Sequence, residues 1–176
     1  MSKVQQDASD IKIDFLELVT PAETFDLQRL FVSMNIYEDL FGGSVTMDLF
    51  LNDSINLPYK APILGEEYLN FNVSSKSVEG EGVELNPGPM YTVSITDRHL
   101  VKDRQQLYIL HFTSEQDIVN SNTTVSRSFR GKTISTIVNT LLNEYIDPLE
   151  EGNDFVIEKT DGIENIVIPN WKPFKA

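Results

Sequence analysis

The sequence predicts a β-rich α+β chain, with a barrel or curled sheet first and a second unit that carries one amphipathic helix. Three observations predict this. Short runs of alternating apolar and polar residues recur between residues 11 and 113, the period of half-buried strands. Ten Phe and six Tyr suit a pleated, apolar core. A single convincing helical periodicity stands near the end of the chain. We read residues 1–10 as a loose polar arm, 11–113 as the first β domain, and 114–176 as a second, incomplete β domain with a helix over 133–146. The length of 176 residues allows one ordinary domain or two small ones.

The elements follow in order. Ile11, Ile13 and Phe15 alternate with Lys12 and Asp14, and Pro21 closes that strand. Residues 27–36 ("LQRLFVSMNI") favour a strand around Phe31 to Met34, because β-formers dominate the end. Residues 37–41 read as a brief helical or turn segment ended by Gly42. In residues 45–51, Val45, Met47, Leu49 and Leu51 point one way and Thr46, Asp48 and Phe50 the other. Asn52-Asp53-Ser54 is turn chemistry. Pro58 and Pro62 exclude a regular helix or central strand over residues 57–64.

Leu69, Phe71 and Val73 mark the next strand. The Ser-, Gly-, Glu- and Pro-rich residues 74–89 form an extended loop. Strands over 90–96 and 105–113 make a long hairpin, joined by a charged connection at 97–104. Residues 115–120 suggest one helical turn, and 121–128 a polar stretch. The helix itself rests on Ile134, Ile137, Val138, Leu141, Leu142 and Tyr145, with Thr133 as N-cap and Pro148 beyond the end. Residues 155–159 and 163–168 read as a hairpin around Thr160-Asp161-Gly162. There is no internal repeat.

Charge and composition exclude several functions. With 27 acidic against 14 basic residues the formal net charge is −13, which opposes sequence-independent nucleic-acid binding. The simplest role of the acids is solubility. With no cysteine, disulfides, thiolate catalysis and cysteine zinc sites are ruled out. The polar start of the chain is not a secretory signal. No apolar run approaches the roughly 20 residues of a membrane helix. A soluble chain is expected.

Chemistry-bearing patterns are weak. His99 and His111 lack metal-ligand spacing, and a structural role is expected for both. Acid pairs occur at Glu38-Asp39, Glu66-Glu67 and Glu150-Glu151, with Glu79, Glu81 and Glu84 close together. Such pairs could serve glycoside hydrolysis, but 27 acids produce pairs by chance, and most sit at turns. No calcium loop is present. Gly42-Gly43-Ser44 and Gly80-Glu81-Gly82 follow no phosphate-loop spacing. Gly131-Lys132-Thr133 precedes the helix like the tail of a phosphate loop, but the first glycine is replaced by Ser126 and no apolar strand is expected before it. The stripe Tyr108, Leu110 and Phe112 reads as core. Trp171, held in "IPNWKPF", reads as a cap on the core or as a contact anchor. No catalytic, cofactor-binding or metal-binding residue is assigned, and an enzyme is not expected.

Three short segments carry a resemblance. "IYEDLF" at 36–41, "DSINL" at 53–57 and "ILGEE" at 63–67 stand in the order found in baseplate hub proteins of contractile-tailed phages, the T-even and cyanophage kind. The residues 91–120, 125–145 and 167–176 resemble, in order, that family's long hairpin, its next segment and helix, and a strand exit leading to a further helix. The resemblance spans residues 11–176 and rests on apolar-pattern and turn positions. It implies a pair of tail-tube-like β-barrels. It implies a homotrimeric, pseudo-sixfold ring that joins tail tube to central spike in a virion baseplate assembled in the host cytoplasm. It implies DNA passing through the lumen unbound, no cofactor, no catalytic residues and no membrane insertion. Members are about twice as long, so the chain is expected to be an N-terminal portion of such a protein. A negative lumen would let DNA slide past, with Asp48 one candidate for it. The alternative function is a non-catalytic ligand- or carbohydrate-binding β-module using Trp171.

Overall fold

The computed structural model describes residues 11–39, 42–75, 83–85, 88–102, 105–146 and 156–175. The arm at 1–10, most of the loop at 74–89, Pro148, Glu150-Glu151 and Phe155 lie outside the described residues. The chain divides into two compact units. The first comprises residues up to 38 and 45–114; the second comprises 39–44 and 115 onward.

The first unit is a single antiparallel sheet. Its strands are β1 (Ile11–Val19), β2 (Thr24–Asp26), β3 (Phe31–Glu38), β4 (Val45–Asp53), β5 (Tyr68–Ser75), β6 (Val83–Leu85), β7 (Met90–Lys102) and β8 (Gln105–Ser114). They are ordered β2-β1-β5-β7-β8-β4-β3, and β6 pairs with β5 off that path. A helical turn, α1 (Leu57–Lys60), follows β4. One sheet can enclose a core without a covering layer only by curling over its own apolar face. The buried cluster is built that way, from Leu16 and Leu18 of β1, Met47, Leu49 and Leu51 of β4, Leu69 and Phe71 of β5, and Tyr108, Leu110 and Phe112 of β8. The alternation expected in β4, β5 and β8 is therefore the one observed.

Several expectations need correction. In β1 the ladder register shifts between Ile13 and Phe15. This bulge moves the buried set to Leu16 and Leu18 and leaves Ile11 about half exposed. Tyr37 and Glu38 are not helical but extend β3, opposite Thr46 and Val45. Residues 57–60 do form a helical turn, because Pro58 sits in the first turn, where its missing N–H costs nothing. The charged connection at 97–104 is mostly strand: β7 continues to Lys102 and β8 begins at Gln105. Register shifts between Thr96 and His99, spanning Asp97 at φ 51°, and between Leu100 and Lys102 absorb the misfit.

The second unit holds α2 (Glu115–Asn122), β9 (Val125–Thr133), α3 (Ile134–Leu141) running into a π turn (Leu142–Ile146), β10 (Ile163–Trp171) and a 3-10 turn (Pro173–Lys175). Two expectations fail here. Residues 156–162 carry no strand, so the expected local hairpin is absent. Instead β10 pairs antiparallel with β9, a strand the sequence reading missed. The helix is shorter than 133–146 as an α-helix, giving way to the π turn after Leu141. Its N-cap is as expected: the Thr133 side chain accepts from the Thr136 N–H. Val125, Phe129, Ile137, Leu141 and Ile168 form this unit's own core. Among the described residues, no helix is long and apolar enough to cross a membrane.

Candidate functional site

Among the described residues of the first unit, three polar arrangements have buried or cross-strand partners. The first is the turn after β4. Asp53 is fully buried. Its carboxylate accepts from the Ile55 N–H at 2.7 Å, the Leu57 N–H at 2.6 Å and the Tyr108 hydroxyl at 3.0 Å. A buried carboxylate is tolerable because three donors replace its water. Asn56 takes the left-handed conformation, φ 58°, that this tight reversal into α1 requires. The second place is the entry to β5. Glu67 is almost fully buried and accepts from the N–H groups of Leu64 and Gly65 at 2.9–3.1 Å. Gly65 has φ 95°, accessible to glycine. These residues are the polar positions of "DSINL" and "ILGEE", so those segments encode two carboxylate-held turns. Glu66, the other half of that acid pair, is exposed.

The Tyr108 hydroxyl titrates far above the usual tyrosine range, first because it is buried and next because Asp53 is negative. The folded state keeps a proton that the unfolded chain releases near pH 10. Stability is therefore fully present below about pH 10 and falls as pH rises beyond it, by up to about 1.4 kcal/mol per unit. Urea denaturation between about pH 8 and pH 11 should show a steeper alkaline loss in the parent chain than in Tyr108→Phe. Parallel curves would contradict the buried-hydroxyl account.

The third place is a polar ladder on the outward face. Asp48 on β4 lies directly opposite His111 on β8. The Asp48 Oδ1–His111 Nδ1 distance is 2.6 Å, and the far ring nitrogen of His111 is 2.7 Å from the Thr96 hydroxyl of β7. The Tyr37 hydroxyl of β3 donates to the other Asp48 oxygen at 3.3 Å. One chain of hydrogen bonds thus crosses four adjacent strands. Hydroxyl, imidazole and carboxylate stand in the order used for nucleophilic catalysis. Yet each group is bonded to the strand beside it, which is how a cross-strand strut works. His111→Ala is expected to cost about 1 kcal/mol in thermal melts, and Asp48→Ala combined with it little more. Sequence reasoning missed this ladder. The available signal was that Asp48 and His111 each lie on the polar side of a strand.

The remaining candidates stay apart. His99 is exposed on β7, opposite Leu107. Glu38 and Asp39 are exposed. Glu79, Glu81 and Gly80-Gly82 lie outside the described residues. Contrary to expectation a strand does precede Gly131-Lys132-Thr133, but β9 runs through these residues rather than ending before a loop. The Gly131 N–H donates to the Asn165 side chain, the Ser135 N–H to Thr160 and the Thr136 N–H to Thr133. The donors a phosphate would need are already used. Arg127 of β9 pairs with Glu144 and lies 5.1 Å over the Phe129 ring. Its hydrogen bonds to Glu144 and then Tyr145 raise its already high pKa. Among the described residues no group of three or more metal-ligating acids or imidazoles comes together.

The strand edges are the last feature. In the described ladders β3 pairs only with β4. The strand β7 pairs with β8 along its length, but with β5 only at Met90 and Tyr91, where the Tyr68 and Tyr91 rings lie 5.7 Å apart; the Thr92 N–H then donates to the Glu67 carbonyl, and beyond it the β5 side of β7 has no ladder partner among the described residues. Apolar side chains stay exposed along both edges: Val32 on β3, and Val93, Leu100 and Val101 on β7.

No family model matches the chain. No curated protein matches it either. Among solved structures, an Escherichia coli protein, c3393, covers 94% of this chain with a TM-score of 0.45 and 10% sequence identity. It is described as a component of the type VI secretion system with structural similarity to the T4 bacteriophage tail proteins gp27 and gp5. The chain spans 40% of that protein's length.

Proposed function

We propose that the chain is a structural assembly protein, a baseplate hub of a contractile injection machine. In this reading it forms a ring with copies of itself, and the ring joins a tail tube to a central spike. The observation that carries the reading is two unequal open edges in the described ladders of the first unit: the outer side of β3, and the stretch of β7 beyond Thr92 that β5 does not cover. Long strands open along one side, with exposed Val32, Val93, Leu100 and Val101, invite another strand unless a partner covers them. Two different edges on one copy make a head-to-tail contact, and such contacts close into rings when the rotation allows. The ordered segments that resemble hub proteins support the same reading, since their polar residues hold the turns that frame β4 and β5. DNA passes through such a ring unbound, consistent with a net charge of −13.

Disulfide trapping tests the edge contact cleanly, because the chain has no cysteine. Val32→Cys and Val93→Cys variants are mixed and oxidised mildly. Cross-links between the two variants are expected to exceed those of Val32→Cys mixed with Tyr59→Cys, a residue still more open to solvent, on α1 and off both edges. Equal yields would overturn edge-to-edge assembly.

A further inference from the structure

The second unit carries a feature that ring assembly does not use. Trp171, at the end of β10, is 47% exposed and lies outside the buried cluster of its unit. With Asn170, Lys172 and Lys175 it lines an open depression of about 400 Å³ on the surface. The ladder register shifts between Ile168 and Trp171, and Asn170 takes φ 56°. A bulge of this kind re-aims a side chain away from its regular direction, here leaving the indole at the depression rather than on the core. Pro169 and Pro173 on either side restrict the backbone, so little ordering remains to be done when a ligand arrives.

The chemistry of the lining selects the ligand. The indole supplies a flat apolar face. Lys172 donates to the Ser121 carbonyl, which steadies its ammonium group while leaving further donors. Lys175 is exposed. The lining holds two lysines and no acid, on a chain whose net charge is −13. Asn170 adds an amide. A ligand that fits presents a ring face, an anion and hydroxyls. Nucleic acid polymers satisfy the first two, but they would meet a net charge of −13.

We propose that Asn170, Trp171, Lys172 and Lys175 form a binding site for an acidic saccharide, with the sugar ring stacked on the indole and its carboxylate held by the lysines. The chain has one tryptophan, so its fluorescence reports on this site alone. Digalacturonic acid is titrated into the full chain, with maltose and AMP as comparison probes. A saturable fluorescence change with digalacturonic acid is expected, with affinity falling about tenfold in Lys175→Gln and with added salt. Calorimetry on Trp171→Phe, checked for folding by circular dichroism, should show the binding heat lost. No saturable response, or an equal response to maltose, overturns the proposal. A response to AMP alone overturns it in favour of a nucleotide site. Unchanged binding heat in a folded Trp171→Phe overturns the placement.

Discussion

Asp53→Ala is expected to destabilise the first unit by about 3 kcal/mol, the largest single-residue effect foreseen here. The carboxylate is fully buried and receives three hydrogen bonds, two from backbone N–H groups and one from Tyr108. Alanine leaves the buried Leu57 N–H and Tyr108 hydroxyl without an acceptor, and the part-buried Ile55 N–H as well, and that desolvation penalty outweighs the small gain from removing a charge. The turn between β4 and α1 would open, because Asn56 holds a left-handed conformation that the carboxylate stabilises from both sides. Asp53→Asn keeps one acceptor oxygen and should cost about half as much. Urea denaturation followed by far-ultraviolet circular dichroism measures both. A loss below about 1 kcal/mol for Asp53→Ala would show that water replaces the carboxylate, and that the turn is not held as described.

Gly43→Ala is expected to cost about 2–3 kcal/mol, felt in the second unit. Gly43 has φ 24°, and a Cβ placed there would lie 2.9 Å from the Phe174 ring. The backbone that carries the ring is anchored, because the Phe174 N–H donates to Asn120 at 2.9 Å, so relief would need the ring itself to change rotamer. This explains the Gly42-Gly43 break that precedes β4 in sequence. Residues 39–44 pack with the second unit rather than beside the strand they introduce, and the aromatic contact there admits no side chain. Shrinking the ring should relieve the clash. Gly43→Ala with Phe174→Ala is expected to cost less than the sum of the two single changes, as contacting sites do. Trp171 fluorescence follows this unit during denaturation, since no other tryptophan exists. Strict additivity would contradict the contact.

The legible parts of the sequence were those whose burial repeats with a clean local period. Met47, Leu49 and Leu51 alternate in the sequence and are all buried. Thr133 is the helix cap that its position suggested. The strand β9 was illegible for a physical reason. It buries only Val125 and Phe129, four residues apart, and the rest of "VSRSFRGKT" faces water or ion partners. Without β9, the apolar run at 163–168 had no partner to suggest except its neighbour, so a local hairpin was expected where a long-range pairing occurs. The far end of the β7–β8 hairpin was read as a loop because an arm that buries little can be built from Asp97, Arg98, His99 and Lys102. The polar ladder joins residues from four strands, with Asp48 and His111 separated by 63 positions. Face parity is visible in a sequence, but the register that sets those two opposite each other belongs to the folded sheet.

If other copies of the chain cover the open edges of the first unit, multi-angle light scattering over a wide concentration range should find a mass that rises with concentration toward a trimer. That mass should fall back to the monomer when Val32→Lys places a charge on the β3 edge. A monomer at every concentration, or a trimer indifferent to Val32→Lys, would mean that copies of the chain do not meet along these edges.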